Sequence, residues 1–172
     1  SNAYLGKTDR DVILDALMTQ LEEAIDLLPW ADTATNYTTE HVTKGYAKAL
    51  YAQIALTRAG YAIREADESQ TKLAEGYEKA PYSDDVYMTL RPGLAKRQEL
   101  YTKAATQLAD IINSGRHQLN PSYENEWYLL NQLTLDKTYR ENIFEVPLLA
   151  NVTGELGYTI GKRMNTQTTD WG

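Results

Sequence analysis

The stretch that decides the fold is VTKGYAKALYAQIALTRAG, residues 42–60. Thr43 is a good N-cap, because its hydroxyl can accept a hydrogen bond from an unpaired N–H of the first helical turn. The pattern predicts a helix that begins at Thr43 and reaches Ala66, with two stripes at helical spacing. The large apolar stripe consists of Tyr46, Leu50, Ile54 and Tyr61, and the small stripe of Gly45, Ala49, Ala52, Ala55 and Ala59.

The small stripe indicates close packing, because residues without bulk at spacings of three and four let another helix approach. Gly45 costs about 1 kcal/mol relative to alanine inside a helix. A close neighbour at this position is therefore the expected compensation.

The preceding segment predicts a helix over residues 9–28. Thr8 and Asp11 approximate a capping box at its start, and Pro29 ends it because proline disfavours helix in the residue before it. The acidic residues lie mainly on the other face and indicate a solvated surface rather than a metal site. Its apolar face consists of Leu14, Leu17, Met18, Leu21, Ile25 and Leu28.

Residues 67–93 are predicted to be a long connection, in which 70–77 could add a short helix. Connections of this length are uncommon in compact domains and tend to be functional or partly disordered. A third helix is predicted over 94–114, with Gly115 as its left-handed C-terminal cap. Its predicted buried face consists of Tyr101, Ala104, Ala105, Leu108, Ile111 and Ile112.

The C-terminal part of the chain predicts one more helix and one strand. The helix begins at Ser122 or Tyr123 and ends at Gln132. The strand covers 143–149 and contains a proline, which places it at a sheet edge. His117 follows the third helix, where a positive charge suits the helix dipole, and is interpreted as a local feature rather than a ligand.

The composition excludes several classes of function. The 172 residues fit one domain and carry a net charge of −7 without a basic stripe, which argues against nucleic-acid binding. Cysteine is absent, so thiolate catalysis and cysteine metal sites are excluded. No apolar run approaches the ~20 residues that span a bilayer, and no signal peptide is recognisable. Ser1-Asn2-Ala3 is typical of a cleaved expression tag.

The aromatic content favours either a binding surface or packing between helices. The chain has 13 Tyr and 3 Trp but only one Phe. Tyr and Trp combine an apolar ring with a polar edge, which suits half-exposed surfaces. Filling of grooves between helices explains any single tyrosine at least as well.

Catalytic motifs are scarce, so we predict a protein that is not an enzyme and uses no cofactor or metal. Only His41 and His117 could serve as imidazole bases, and they lie on different elements without metal-binding spacing. A pair of carboxylates for glycoside hydrolysis stays open, because acidic residues are numerous.

The second and third predicted helices have a residue pattern typical of tetratricopeptide repeats, with Gly-Tyr early in one helix and spaced alanines in both. A regular repeat has about 34 residues, whereas Tyr46 and Tyr101 stand 55 positions apart. We therefore predict a mostly α fold of tetratricopeptide-like α-α pairs, with a long insertion and one short strand near the C-terminal end.

Several segments resemble the SusD/RagB family in the order that family has them. They are LEEAIDLLP at 21–29, the stretch at 42–60, YTKAA at 101–105, IINSG at 111–115 and ENIFEVP at 141–147. Residues 4–172 are accordingly identified as a single SusD-like helical fragment, without the N-terminal lipoprotein segment and the C-terminal region of whole members.

The resemblance implies a surface-exposed lipoprotein of the outer membrane that captures glycans without catalysis. It would sit on a TonB-dependent transporter of the SusC type and bind an oligosaccharide, with a lipid anchor outside this sequence as its membrane attachment. The alternatives are a general tetratricopeptide-like protein-interaction scaffold and a glycan-cleaving enzyme with two facing carboxyl groups.

Sugar binding in this setting uses aromatic platforms, because pyranose C–H groups pack on a ring. The candidate carbohydrate-binding residues are Trp127, Tyr158 and Trp171. Trp30 follows the Leu-Leu-Pro stop and is interpreted as structural.

Overall fold

The computed structural model describes residues 6–32 and 34–146, which form five helices and a small antiparallel sheet. The elements in chain order are α1 (Arg10–Leu27), α2 (Lys44–Ala59), β1 (Ala62–Arg64), α3 (Ala66–Ala74), β2 (Glu78–Lys79), β3 (Met88–Arg91), α4 (Leu94–Asn113) and α5 (Tyr123–Asn131). The predicted helix-rich architecture is confirmed.

Helices α1, α2 and α4 pack together and enclose the core. The end of α2 meets the start of α1, where Arg58 pairs with Asp15, so these two helices are antiparallel. Lys48 near the start of α2 reaches Asp110 near the end of α4 at 2.9 Å, so α4 is antiparallel to α2 as well. The buried core residues are Met18, Ile25, Ala47, Tyr51, Ala52, Ala55, Ala59, Leu100 and Ala104.

The small stripe of α2 is confirmed as a close-packing surface, since Ala52, Ala55 and Ala59 are almost fully buried. The large stripe is less buried than predicted, and Tyr51 is the bulky core residue instead. The helix also ends earlier than predicted, at Ala59 rather than Ala66, because the chain after Gly60 enters strand β1.

Helix α1 begins one residue later than predicted and is capped differently. Asp9, not Thr8, is the N-cap, and its Oδ1 accepts the N–H of Asp11 at 2.8 Å. Asp11 is then free to turn its side chain into the protein, where it is 2% exposed.

The segment predicted as a long connection contains α3 and most of the sheet. Strand β3 is central, and both β1 and β2 pair with it antiparallel, with Ala62 opposite Leu90. Met88 and Leu90 are buried and alternate with partly exposed neighbours. This period-two signal is only four residues long and lies close to Pro92 and Gly93, so the sequence was interpreted as a loop.

The predicted strand at 143–149 is wrong where it can be checked. Residues 143–146 form no strand, and 147–149 lie outside the described residues. Glu145 donates its N–H to the carbonyl of Thr39 at 2.9 Å, and the Phe144 ring stacks on Tyr46 with centroids 4.2 Å apart. The hydroxyl of Thr39 also donates to the Glu145 carboxylate at 3.4 Å. Isolated hydrogen bonds and a ring contact thus hold this segment, and a ladder does not form.

The exit from α4 confirms one prediction and corrects two others. Gly115 has a φ of 64° and ends the helix in the left-handed region, as predicted. His117 is not a solvated charge at the helix end but is 8% exposed, with Nδ1 at 2.9 Å from the carbonyl of Arg140. Its Nε2 would lie 2.6 Å from a Cβ at Gly45. The close neighbour that requires glycine is thus an imidazole, not a helix backbone.

Candidate functional site

Helix α5 is the most exposed helix that the structure describes, and none of its residues is buried. Trp127 is 67% exposed, Tyr123 90% and Tyr128 58%. Single exposed rings are common, but a contiguous patch of them is typical of a surface that contacts a ligand or another chain.

The exposed rings form one continuous surface because of helical spacing. Tyr123, Trp127 and Leu130 stand at i, i+4 and i+7 and therefore share one side of the helix. Together with Tyr128 they are called the α5 aromatic face below. They line a groove of about 440 Å³, which also contains Glu124 and Glu126. At about 100° per residue, these two carboxylates lie on opposite flanks of the Tyr123–Trp127 stripe.

The two carboxylates differ in how they are held. Glu126 accepts hydrogen bonds from the side-chain amides of Asn120 at 2.9 Å and Asn142 at 3.4 Å. Within the described part of the chain, Glu124 has neither a hydrogen bond nor an ion pair. Glu126 is therefore a positioned acceptor, whereas Glu124 is free to meet a ligand.

The turn around Asp136 supports the groove from behind. Asp136 accepts the N–H groups of Thr138 at 3.0 Å and Tyr139 at 2.9 Å. Burial opposes ionisation of this carboxyl, but the backbone donors outweigh it and hold its pKa below the ordinary value. A hydrogen bond with the Glu126 side chain lowers this pKa further, so Asp136 links the loop to α5.

The same region carries one carboxyl whose pKa moves the other way. Burial raises the pKa of Glu145 above its ordinary value, and the negative charges of Glu126 and Glu40 add to the rise, while hydrogen bonds from Thr39 and Asn142 oppose it. Acidic groups around α5 are therefore crowded enough to influence one another.

The three predicted carbohydrate-binding residues have different outcomes. Trp127 lies at the centre of the α5 aromatic face. Tyr158 and Trp171 lie outside the described residues. Trp30 is half-buried, and its ring centroid stands 6.4 Å from that of His117, which agrees with a structural role. Tyr123 was missed, although its four-residue distance from Trp127 on one predicted helix was a usable signal.

A second cluster, the charged clasp, lies at the other end of the helical layer and is buried. It consists of Asp9, Asp11, Arg58, Arg64, Lys72 and Tyr77. Asp11 Oδ2 lies 2.7 Å from Arg64 Nη2, 3.2 Å from Arg58 Nη1 and 2.5 Å from the hydroxyl of Tyr77. The clasp joins α1, α2, β1, α3 and the turn after α3.

Charge pairing in the clasp fixes the protonation of its members. Burial opposes the charge of Asp9, but Lys72 and the N–H of Asp11 outweigh it and lower the Asp9 pKa. Burial likewise opposes the charge of Arg64, while Asp11 and Glu68 raise its pKa above the ordinary value. Each charged group of the clasp has an ion-pair partner within the protein, although Arg58 Nη1 and Arg64 Nε make no hydrogen bond, and the dense pairing indicates a structural junction.

A third surface, the α4 outer face, is apolar and exposed. The charged residues of α4 make their contacts elsewhere: Lys103 lies 3.6 Å from Glu22 of α1, and Asp110 pairs with Lys48 of α2. Leu94, Tyr101, Leu108 and Ile112 are 40–74% exposed. The predicted buried face of this helix is therefore wrong for Tyr101, Leu108 and Ile112, whereas Ala104 and Ile111 are buried as predicted. The α4 outer face consists of Leu94, Tyr101, Ala105, Leu108 and Ile112.

Metal and membrane chemistry find no support in residues 6–32 and 34–146. No group of three His, Asp or Glu side chains in these residues is arranged to hold a metal ion. None of their helices is both long and apolar enough to cross a bilayer.

Comparisons of the whole chain with protein-family models, with curated proteins and with solved structures give no match. Any function must therefore be argued from the site itself.

Proposed function

We propose that the chain is a non-catalytic, glycan-binding component of a nutrient uptake system of the SusC/SusD type. In this proposal the α5 aromatic face captures an oligosaccharide at the outer cell surface and a TonB-dependent transporter receives it. The observation that carries the proposal is Trp127, 67% exposed at the centre of a groove with carboxylates on both flanks.

The chemistry of capture needs no bond to form or break. A pyranose ring presents C–H groups on one face, and these pack on the indole of Trp127 with the phenol of Tyr123 one turn away. The hydroxyl groups at the sugar's edge donate to Glu126, whose orientation is set by Asn120 and Asn142. Stacking supplies most of the affinity and the positioned acceptor selects the orientation.

The arrangement of the helices supports the family part of the proposal. The four helical segments that resemble SusD/RagB lie largely in α1, α2 and α4. An antiparallel pair with the next helix packed against it is what a tetratricopeptide-like stack requires. In this interpretation α3 and the sheet are the insertion that lengthens the repeat.

The test is replacement of Trp127 by alanine, with binding measured by calorimetry or on immobilised oligosaccharides. Loss of a stacked ring should weaken binding at least about tenfold, while the unfolding midpoint changes little because the ring is exposed. The matched control is Tyr82→Ala, which removes a 77% exposed ring from a different surface. Equal affinity of Trp127→Ala and the unaltered protein would overturn the proposal.

A second candidate function, a protein-interaction scaffold, is favoured by the α4 outer face. A charge-free helix surface of this length suits packing against a partner helix. This alternative predicts that Leu108→Asp abolishes partner binding, that Trp127→Ala does not, and that no oligosaccharide binds the unaltered chain.

A further inference from the structure

The segment that builds the α5 aromatic face carries only negative charge. Residues 118–136 contain Glu124, Glu126 and Asp136 and no Lys, Arg or His. The backbone N–H of Asn120 donates to a further carboxylate, that of Glu141, at 2.9 Å. A ligand in the groove therefore meets aromatic rings and carboxylates together.

The nearest Lys and Arg side chains in the sequence lie on another surface. Lys137 and Arg140 line a separate small depression with Asp32 and Thr38. Arg116 lies 3.5 Å from Asp32 and so faces the same region. These cations are absent from the described lining of the α5 groove, which consists of Tyr123, Glu124, Glu126, Trp127, Tyr128 and Leu130.

We propose that the α5 aromatic face selects glycans without carboxylate or sulfate groups and prefers sugar units with a free, protonated amine. This inference rests on the proposed glycan-binding function and names the class of ligand. It is carried by the two flanking carboxylates and the lack of a cation among the groove residues.

Two physical effects produce this selectivity. An acidic sugar brings a negative charge within a few ångströms of Glu124 and Glu126, and the described lining of the groove holds no cation that compensates the repulsion and lost hydration. A protonated amine gains binding energy in two ways: it can pair with a carboxylate, and its charge is attracted to the faces of Trp and Tyr rings.

The two carboxylates should differ in their contributions. Glu126 already accepts from Asn120 and Asn142, which leaves it a fixed acceptor for sugar hydroxyls. Glu124 has no partner among the described residues and can turn toward an amine. Glu124 is therefore the residue that sets the preference for amines.

The experiment is a glycan array probed with the unaltered chain, Trp127→Ala and Glu124→Gln, followed by solution titrations of each bound glycan. The array should contain neutral members, their de-N-acetylated amine counterparts and uronate or sulfated members. We expect Trp127-dependent binding by neutral and amine-bearing members only. The amines should bind about three to tenfold tighter than their acetylated counterparts at low salt, a gain that screening reduces.

The Glu124→Gln variant should reduce the ratio of amine to neutral-glycan affinity to less than about twofold. Trp127-dependent binding of uronate or sulfated members as tight as that of neutral ones would overturn the selectivity and leave the proposed function intact. The complete lack of Trp127-dependent binding by any glycan would overturn the proposed function and this inference with it.

Discussion

The two ends of the helical layer use the same kinds of side chain for opposite purposes. In the charged clasp, Asp11 and Arg64 are 2% and 3% exposed, and the hydroxyl of Tyr77 donates inward to Asp11. In the α5 aromatic face, Trp127 is 67% exposed and Glu124 points to no partner in the described chain. Buried charges that are paired with one another hold the fold together, whereas an exposed carboxylate and exposed rings are available to a ligand.

The largest expected effect is that of Asp11→Asn in the clasp. The substitution removes the negative charge shared by two buried arginines and should lower the free energy of unfolding by about 3–5 kcal/mol. Urea denaturation followed by circular dichroism measures the change.

The matched control is Asp26→Asn, an exposed carboxylate on the same helix, which should change the free energy by less than about 0.5 kcal/mol. A loss of less than about 1 kcal/mol in the free energy of unfolding for Asp11→Asn would contradict the stabilising role of the clasp.

The next largest effect is expected for Gly45→Ala, where α2 meets the loop beside α5. Alanine favours helix by about 1 kcal/mol, but its Cβ would lie 2.6 Å from Nε2 of His117. We expect a net loss of about 1–3 kcal/mol in thermal or urea unfolding, because the enclosed imidazole must move. In a His117→Ala background the same substitution should cost nothing or stabilise. Equal costs in both backgrounds would contradict the contact.

Acid should change the stability of the two ends in opposite directions. Asp9 has a lowered pKa, so its stabilising contribution is present above the unfolded value near 4 and is lost as the pH falls through the folded value. Glu145 has a raised pKa, so its unfavourable contribution disappears as the pH falls through that raised value. The clasp should therefore weaken as the pH falls below the unfolded value of Asp9, which urea denaturation at a series of pH values measures.

Alkali provides the complementary measurement. The pKa values of Lys72 and Tyr77 are raised, so their contribution is complete below the unfolded values near 10 and is lost as the pH rises through the folded ones. Hydrogen exchange of amides in α3 should accelerate at both extremes before exchange in the α2–α4 core. Uniform acceleration across the protein would argue against a local clasp.

The smallest effect is expected at the end of α5. Leu133 has a φ of 53° and is 83% exposed, so no packing of its side chain offsets the energetic cost of the left-handed conformation. Leu133→Gly should raise the free energy of unfolding by about 0.5–1 kcal/mol. The control Leu133→Ala keeps the strained backbone and should leave the free energy of unfolding unchanged. If Leu133→Ala raised it as much as Leu133→Gly does, the gain would come from removal of an exposed apolar side chain rather than from relief of strain.

Sequence reasoning located the helices well because their signals are long. The stripe of Ala52, Ala55 and Ala59 repeats over several turns and predicted the close contact that the core of α2 shows. The sheet was missed because strands of two to four residues carry almost no periodic signal. The strand predicted at 143–149 failed at 143–146, since an apolar run has no strand partner unless the fold provides one.

The candidate site was predictable only in part. Trp127 was identified from its residue type, and spacing alone could have added Tyr123. Glu126 could not be identified, because its orientation depends on Asn142, sixteen positions further along the chain.

The sequence by itself determined the presence of α1, α2, α4 and α5, where Gly115 ends α4 and that the chain is acidic without cysteine. Those properties are local or additive, so the residues that express them suffice to predict them. Only the tertiary structure decided that Asp11 is buried between two arginines while Glu124 is left free. The environment of a charge is set by residues distant in sequence, and that environment determines whether the charge stabilises the fold or faces a ligand.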